Sequence, residues 1–151
     1  MKLQEAIKTE KFRDELHKAS LNILYTAYWM RSHLSVVMKN HGITEEQFNV
    51  MRILKGKHPS PMCVRDIGSR MLEKSSNVPR IIDRLVAKKL VRRSTSTEDK
   101  RETLISLTDM GITHLEEVSK RVDEQSREIM HLPEAEAIQL NELLEKLRKK
   151  D

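Results

Sequence analysis

Residues 75–111 read SSNVPRIIDRLVAKKLVRRSTSTEDKRETLISLTDMG, and this stretch decides the fold. It divides into a short helix, a basic hairpin with a charged tip, and the start of a further helix. Ser75 or Ser76 is a good N-cap, because a serine hydroxyl accepts from a first-turn amide that has no partner within the helix. Pro79 then falls in the first turn, where a missing N–H costs little. Val78, Ile81, Ile82, Leu85 and Val86 recur at helical spacing and form one apolar stripe. The opposite side carries Ser76, Asn77, Arg80, Arg84 and Lys88.

A helix of this kind, laid in the major groove of DNA, reads base edges with residues near its N-terminus. Asn77 and Arg80 are therefore the candidates for base contact, Asn suiting adenine and Arg suiting guanine. The plainer alternative is an amphipathic helix with a solvated basic face. The hairpin favours the first reading. Residues 91–95 and 103–107 are rich in β-branched and apolar side chains, which suits strands. Between them lie Ser96, Thr97, Glu98, Asp99, Lys100 and Arg101, too charged to be buried. Arg101 at such a tip is placed to enter a narrow minor groove. Asp99 is expected to orient it by a charge-assisted hydrogen bond. Thr108 then caps the next helix, and Asp109 suits its positive end.

With these residues in view, the chain resembles the MarR family of winged helix-turn-helix transcription regulators. The resemblance runs from Ile43 to Gly111, in order and without gaps. Ile43, Thr44 and residues 47–50, within ITEEQFNV, look like the family's opening LTxxQFxVL helix. Val78, Arg80, Asp83, Arg84 and Leu85 look like its VTRLVDRL recognition helix. Leu90, Val91 and Arg93 match the strand that follows, and Asp99, Arg101, Leu107, Thr108 and Gly111 match the wing signature DxR…LTxxG. The flanking helices match only in length and pattern. Four positions depart from the pattern: Pro79 replaces a Thr, Cys63 a Thr cap, Gly68 an Ala, and Lys89 the Gly that ordinarily ends the recognition helix. A Gly there takes a left-handed conformation without steric penalty, so Lys89 either carries strain or the helix ends differently.

The resemblance implies a homodimeric repressor that binds a pseudo-palindromic site on double-stranded DNA and is released by a small ligand. Two symmetric recognition helices would then lie about one helical turn of DNA apart, ~34–36 Å. Phosphate contacts are expected from Ser75, Ser76, Arg84, Lys88, Arg92 and Arg93. Base contacts are expected from Asn77 and Arg80, and wing contacts from Asp99, Lys100 and Arg101.

The charge agrees. The 151 residues carry a net +5, but residues 65–101 hold 11 Lys or Arg against 5 Asp or Glu, a balance of +6. The positive field therefore sits on the recognition segment, as phosphate binding requires. Aromatic residues are only 3%, too few for single-strand binding by base stacking. A single cysteine excludes an internal disulfide, and no apolar run suits a signal peptide or a membrane span. A cytoplasmic location is expected.

Taken in order, residues 1–10 are polar and at most weakly helical. One long helix is expected from about Phe12 to Asn40, with an apolar face that includes Leu16, Ile23, Leu24, Leu34 and Met38. Thr44 and Gln47 make a capping box for a helix ending near Lys55. A short helix should span about Val64 to Leu72. After the hairpin, helices are expected from Thr108 to about Met130 and beyond Pro133, the second with Ile138, Leu140, Leu143, Leu144 and Leu147 on one face. The expected architecture is mainly α with a small β-hairpin wing. It forms one domain over residues 1–151, with a DNA-binding lobe at 43–111 and helical dimerisation regions at 1–42 and 112–151.

Other chemistry has little support. No Gly-rich phosphate loop, nucleophile elbow or His–Glu helix motif is present, so no enzyme and no cofactor are expected. The six histidines are scattered and no metal site is expected, although His33, His41 and His114 have the residue types to converge. Cys63, if it opens a helix, is a candidate redox-responsive thiol; the alternative is a small buried apolar residue. Tyr25, Trp29 and His33 fall four residues apart on one helical face, a candidate wall for a small aromatic or anionic effector or else part of a dimer core. The rival class of function is a helical adaptor that binds other proteins and has no use for the basic hairpin.

Overall fold

A computed structural model describes residues 1–74 and 77–149, and it is mainly helical with one small antiparallel sheet. A single-turn helix α1 (Leu3–Ala6) precedes the long α2 (Glu15–Asn40). The lobe follows as α3 (Glu45–Lys55), β1 (Met62–Cys63), α4 (Val64–Arg70), α5 (Val78–Ala87), β2 (Val91–Thr95) and β3 (Thr103–Leu107). Helices α6 (Asp109–Ile129) and α7 (Glu134–Leu147) close the order.

The ends of these elements have local causes. Helix α2 begins at Glu15 rather than near Phe12, because the Asp14 carboxylate accepts from the His17 amide at 2.7 Å and fixes the first turn. At its other end Gly42 adopts φ +70. The Gly42 amide donates to the Lys39 carbonyl at 2.9 Å and the Ile43 amide to the Met38 carbonyl at 3.1 Å, a Schellman closure. Thr44 and Gln47 form the expected capping box: the Gln47 amide donates to Thr44 Oγ1 at 3.2 Å and the Thr44 amide to Gln47 Oε1 at 3.3 Å. Helix α4 stops at Arg70, two residues short of expectation, because Met71 is already extended at ψ 141.

The two hairpin strands pair as expected, from Val91 opposite Leu107 to Thr95 opposite Thr103. A third strand goes beyond the expected hairpin. Met62 and Cys63 pair with Ile105 and Leu104, giving the order β1-β3-β2. Two residues are too few to show an alternation, so β1 leaves no signal in the sequence.

One core joins the lobe to the long helices. Met51, Ile67, Ile82, Leu85, Val91 and Ile105 are among its most deeply buried residues, and Leu115 and Val118 of α6 and Met38 of α2 pack into it. Helix α2 lies along α6. Helix α7 behaves differently, because it buries none of its residues. Leu143 is 64% exposed and Leu147 67%, and on α2 Leu16 is 81% exposed and Tyr28 71%. No helix among the described residues is long and apolar enough to cross a membrane.

Candidate nucleic-acid interface

Helix α5 is strongly two-sided. Val78, Ile81, Ile82 and Leu85 face the core, while Asn77, Arg80, Arg84 and Lys88 are exposed along one row at spacings of three and four. Asn77 is the residue that opens the helix, and Pro79 lies in the first turn. Arg80 and Arg84 make no ion pair with any described residue, so both guanidinium groups face solvent uncommitted. Ser75 and Ser76 lie outside the described residues.

Three other basic candidates are engaged within the lobe. Arg93 pairs with Asp83, tying β2 to the outer side of α5. Arg92 Nε donates to Ser106 Oγ at 3.1 Å, across the β2–β3 pair. Lys88 is not aimed outward at a phosphate, as its place on the helix suggests; its ammonium instead donates to the Gly42 carbonyl and, at 2.9 Å, to Gln47 Oε1.

The wing tip is built by short polar contacts. Ser96 is buried, and its hydroxyl accepts from the amides of Glu98 and Asp99 at 3.2 and 3.3 Å. Asp99 Oδ1 accepts from the Arg101 backbone amide at 2.9 Å. This corrects the expected role of Asp99, which shapes the turn beneath Arg101 rather than gripping its guanidinium. Lys100 and Arg101 are exposed at the tip and make no ion pair with a described residue. The structural role of Ser96 is one that sequence reasoning misses, although a serine opening a polar turn is a recognised signal.

Helix, wing and α6 meet at one junction. Lys89 ends α5 in the left-handed region at φ 60. The Lys89 amide donates to the Val86 carbonyl and the Leu90 amide to the Leu85 carbonyl, so a lysine occupies the place of the usual glycine. The Thr108 hydroxyl donates to the Lys89 carbonyl at 2.7 Å and accepts from the Gly111 amide at 2.9 Å.

A second tie reaches the lobe from the long helix. Arg31 on α2 bonds Glu45 at 3.0 Å, at the start of α3, and also Glu73, in the loop before α5. The Glu73 hydrogen bond and then the Glu45 charge raise the Arg31 pKa. Burial raises the Glu45 carboxyl above its usual range, and Arg31 opposes that without cancelling it.

The remaining candidates are less coherent as sites. Tyr25, Trp29 and His33 do share a half-buried face of α2, with the Trp29 and His33 rings 4.7 Å apart and His33 Nδ1 2.8 Å from the Trp29 carbonyl. They do not line a surface groove of about 740 Å³ between α3 and α6, lined by Arg52, Lys55, Leu115, Ser119, Lys120 and Arg127 among others. Cys63 does open a helix, α4, and it is buried, paired in β1 with Leu104. The rings of His41 and His114 lie 6.4 Å apart, without His33. Among the described residues no three His, Cys, Asp or Glu groups gather as a metal cluster.

Comparison with known proteins agrees with this geometry. The family model described as "MarR family" matches residues 43–103. The HTH-type transcriptional repressor MdtR of Bacillus subtilis is 38% identical over 111 residues, covering 73% of this chain and 70% of MdtR. The crystal structure of YusO from B. subtilis superposes with a TM-score of 0.62 at 32% identity, covering 91% of this chain and 97% of YusO. The S. aureus MepR–DNA complex gives a TM-score of 0.76 at 24% identity, over 85% and 94% of the two chains, a likeness of fold. The curated relatives are transcriptional regulators rather than enzymes.

Proposed function

This chain belongs to the MarR family of DNA-binding transcriptional regulators, and from that premise we propose that it acts as a homodimeric repressor of a pseudo-palindromic operator in the cytoplasm. The lobe of residues 43–111 meets the DNA, and residues 1–42 and 112–151 build the dimer. Asn77 and Arg80 contact bases. Ser75, Ser76, Arg84, Arg92 and Arg93 contact phosphates. Arg101, flanked by Asp99 and Lys100, enters the minor groove.

The observation that carries this reading is the exposed row on α5. Arg80 and Arg84 lie on the face opposite the buried stripe, and neither is neutralised by a carboxylate among the described residues. Two uncommitted guanidinium groups beside a hairpin whose tip adds Lys100 and Arg101 make one positive surface suited to a polyanionic partner. The exposed apolar residues of α2 and α7 support the second copy, since apolar surface gathered on helices marks an interaction site. A small aromatic or anionic ligand, held against Tyr25, Trp29 and His33, acts by favouring a dimer whose recognition helices are spaced wrongly for DNA.

Selection of binding sites from a random duplex pool tests this reading. The expected outcome is a site with two inverted half-sites centred about 10 base pairs apart. Enrichment of single half-sites, or of no sequence, contradicts it.

A further inference from the structure

We propose that Lys88 is a positioning residue for DNA binding: its ammonium fastens the C-terminal end of α5 to the turn between α2 and α3, and so sets the angle at which α5 meets the groove. The inference rests on the reading of α5 as the DNA-reading helix.

The geometry is specific. Lys88 is the C-cap of α5, and its Nζ donates to the Gly42 carbonyl and to Gln47 Oε1 at 2.9 Å. Gln47 is only 3% exposed, and its Oε1 also accepts the Thr44 amide at 3.3 Å. The side-chain oxygen that starts α3 therefore has its second lone pair filled by a residue more than forty positions later in the chain. Gly42 is the left-handed residue that closes α2. One ammonium thus joins the end of α2, the start of α3 and the end of α5. An ammonium held by two acceptors is not aimed at a phosphate.

The position along the helix matters. Lys89 reverses the chain immediately after Lys88, so the fastened end is also where the wing begins. The ten residues of α5 span roughly 15 Å at 1.5 Å per residue. A tilt of about 4° around the fastened end moves the base-reading end by about 1 Å, enough to spoil a bidentate contact. Because Gly42 belongs to the end of α2, the same tie passes any shift of that long helix to α5.

The test separates a tie from a phosphate contact by salt dependence. Affinity for a duplex is measured against salt concentration for the full chain and for Lys88→Met, Lys88→Gln, Gln47→Met and the Lys88→Met/Gln47→Met double variant, with thermal unfolding of each. The expected result is a roughly tenfold loss in Lys88→Met and in Gln47→Met, and no further loss in the double variant. Lys88→Gln, which keeps a donor but not the charge, recovers part of the loss. The slope of log affinity against log salt stays at the wild-type value throughout. The Lys88 variants unfold close to wild type, while Gln47→Met and the double variant, which also lose the capping box to Thr44, unfold at a lower temperature and are compared below it, where they are folded. A slope lower by about one in both Lys88 variants, with Gln47→Met binding normally, overturns the proposal and makes Lys88 a phosphate contact. Absence of binding by the wild type overturns the DNA reading itself, and this proposal with it.

Discussion

A β-carbon built on Gly111 would lie 1.9 Å from the carbonyl oxygen of Leu90. The same oxygen accepts the Thr108 amide at 3.1 Å, and the Thr108 hydroxyl caps α6 through the Gly111 amide. The turn after α5, the return strand of the hairpin and the start of α6 are therefore locked at one point. The spacing of Thr108 and Gly111 reflects that lock: the threonine supplies the cap, and three residues on only a hydrogen fits against Leu90.

Gly111→Ala should accordingly destabilise the fold by about 3 kcal/mol, since the obstructing atom is backbone and cannot rotate aside. Chemical denaturation measures this. A loss below about 1 kcal/mol would mean that the junction relaxes freely.

Lys89→Gly should act in the opposite direction. The left-handed φ of 60 at Lys89 carries a steric cost that glycine does not. Net of glycine's greater freedom in the unfolded chain, a gain of about 0.5–1 kcal/mol is expected in the same denaturation experiment. Destabilisation would show that the Lys89 side chain contributes more than its backbone costs.

Glu45 gives a pH dependence. Burial raises its carboxyl in the folded protein, so the folded state takes up the proton more readily than the unfolded chain. That contribution to stability is fully present below the ordinary carboxylate range and is lost as pH rises through the raised folded value. Glu45→Gln, which mimics the protonated form, should therefore gain stability relative to wild type between acidic and neutral pH. A relative loss over that interval would show that the Arg31 ion pair outweighs burial.

The expected dimer is tested on α7. Leu143→Glu with Leu147→Glu places charge on side chains that are exposed in the single chain, so the lobe should stay folded. Sedimentation velocity should show the variant as a monomer, with duplex affinity reduced more than roughly tenfold. A dimer that survives both changes would place the interface elsewhere.

The parts of this architecture that rest on local chemistry are legible in the amino-acid sequence. Thr44 with Gln47, Thr108 with Gly111, the glycine at 42 and the two β-rich runs each carry their own signal, and each stands in the place that signal implies. The departure at Lys89 is also visible, and it resolves as a left-handed lysine rather than a different helix end. What stays hidden depends on residues far apart in the chain. Strand β1 exists only because β3 is beside it. The engagement of Lys88 by Gly42 and Gln47 draws one cation away from the exposed face in a way no charge count reveals. Asp99 holds a backbone amide rather than its neighbour's guanidinium, because at a separation of two residues the turn geometry delivers the amide first.

The central claim is that α5 and the wing bind duplex DNA. A fluorescence-anisotropy titration against a random-sequence duplex at two salt concentrations, with wild type and Arg101→Ala side by side, tests it most directly. The account predicts micromolar binding that weakens steeply with salt, weaker binding again in Arg101→Ala, and a stability for that variant within ~0.5 kcal/mol of wild type. Equal binding by the two folded proteins would remove the wing from the interface, and no binding at low salt by a folded wild-type dimer would contradict the account.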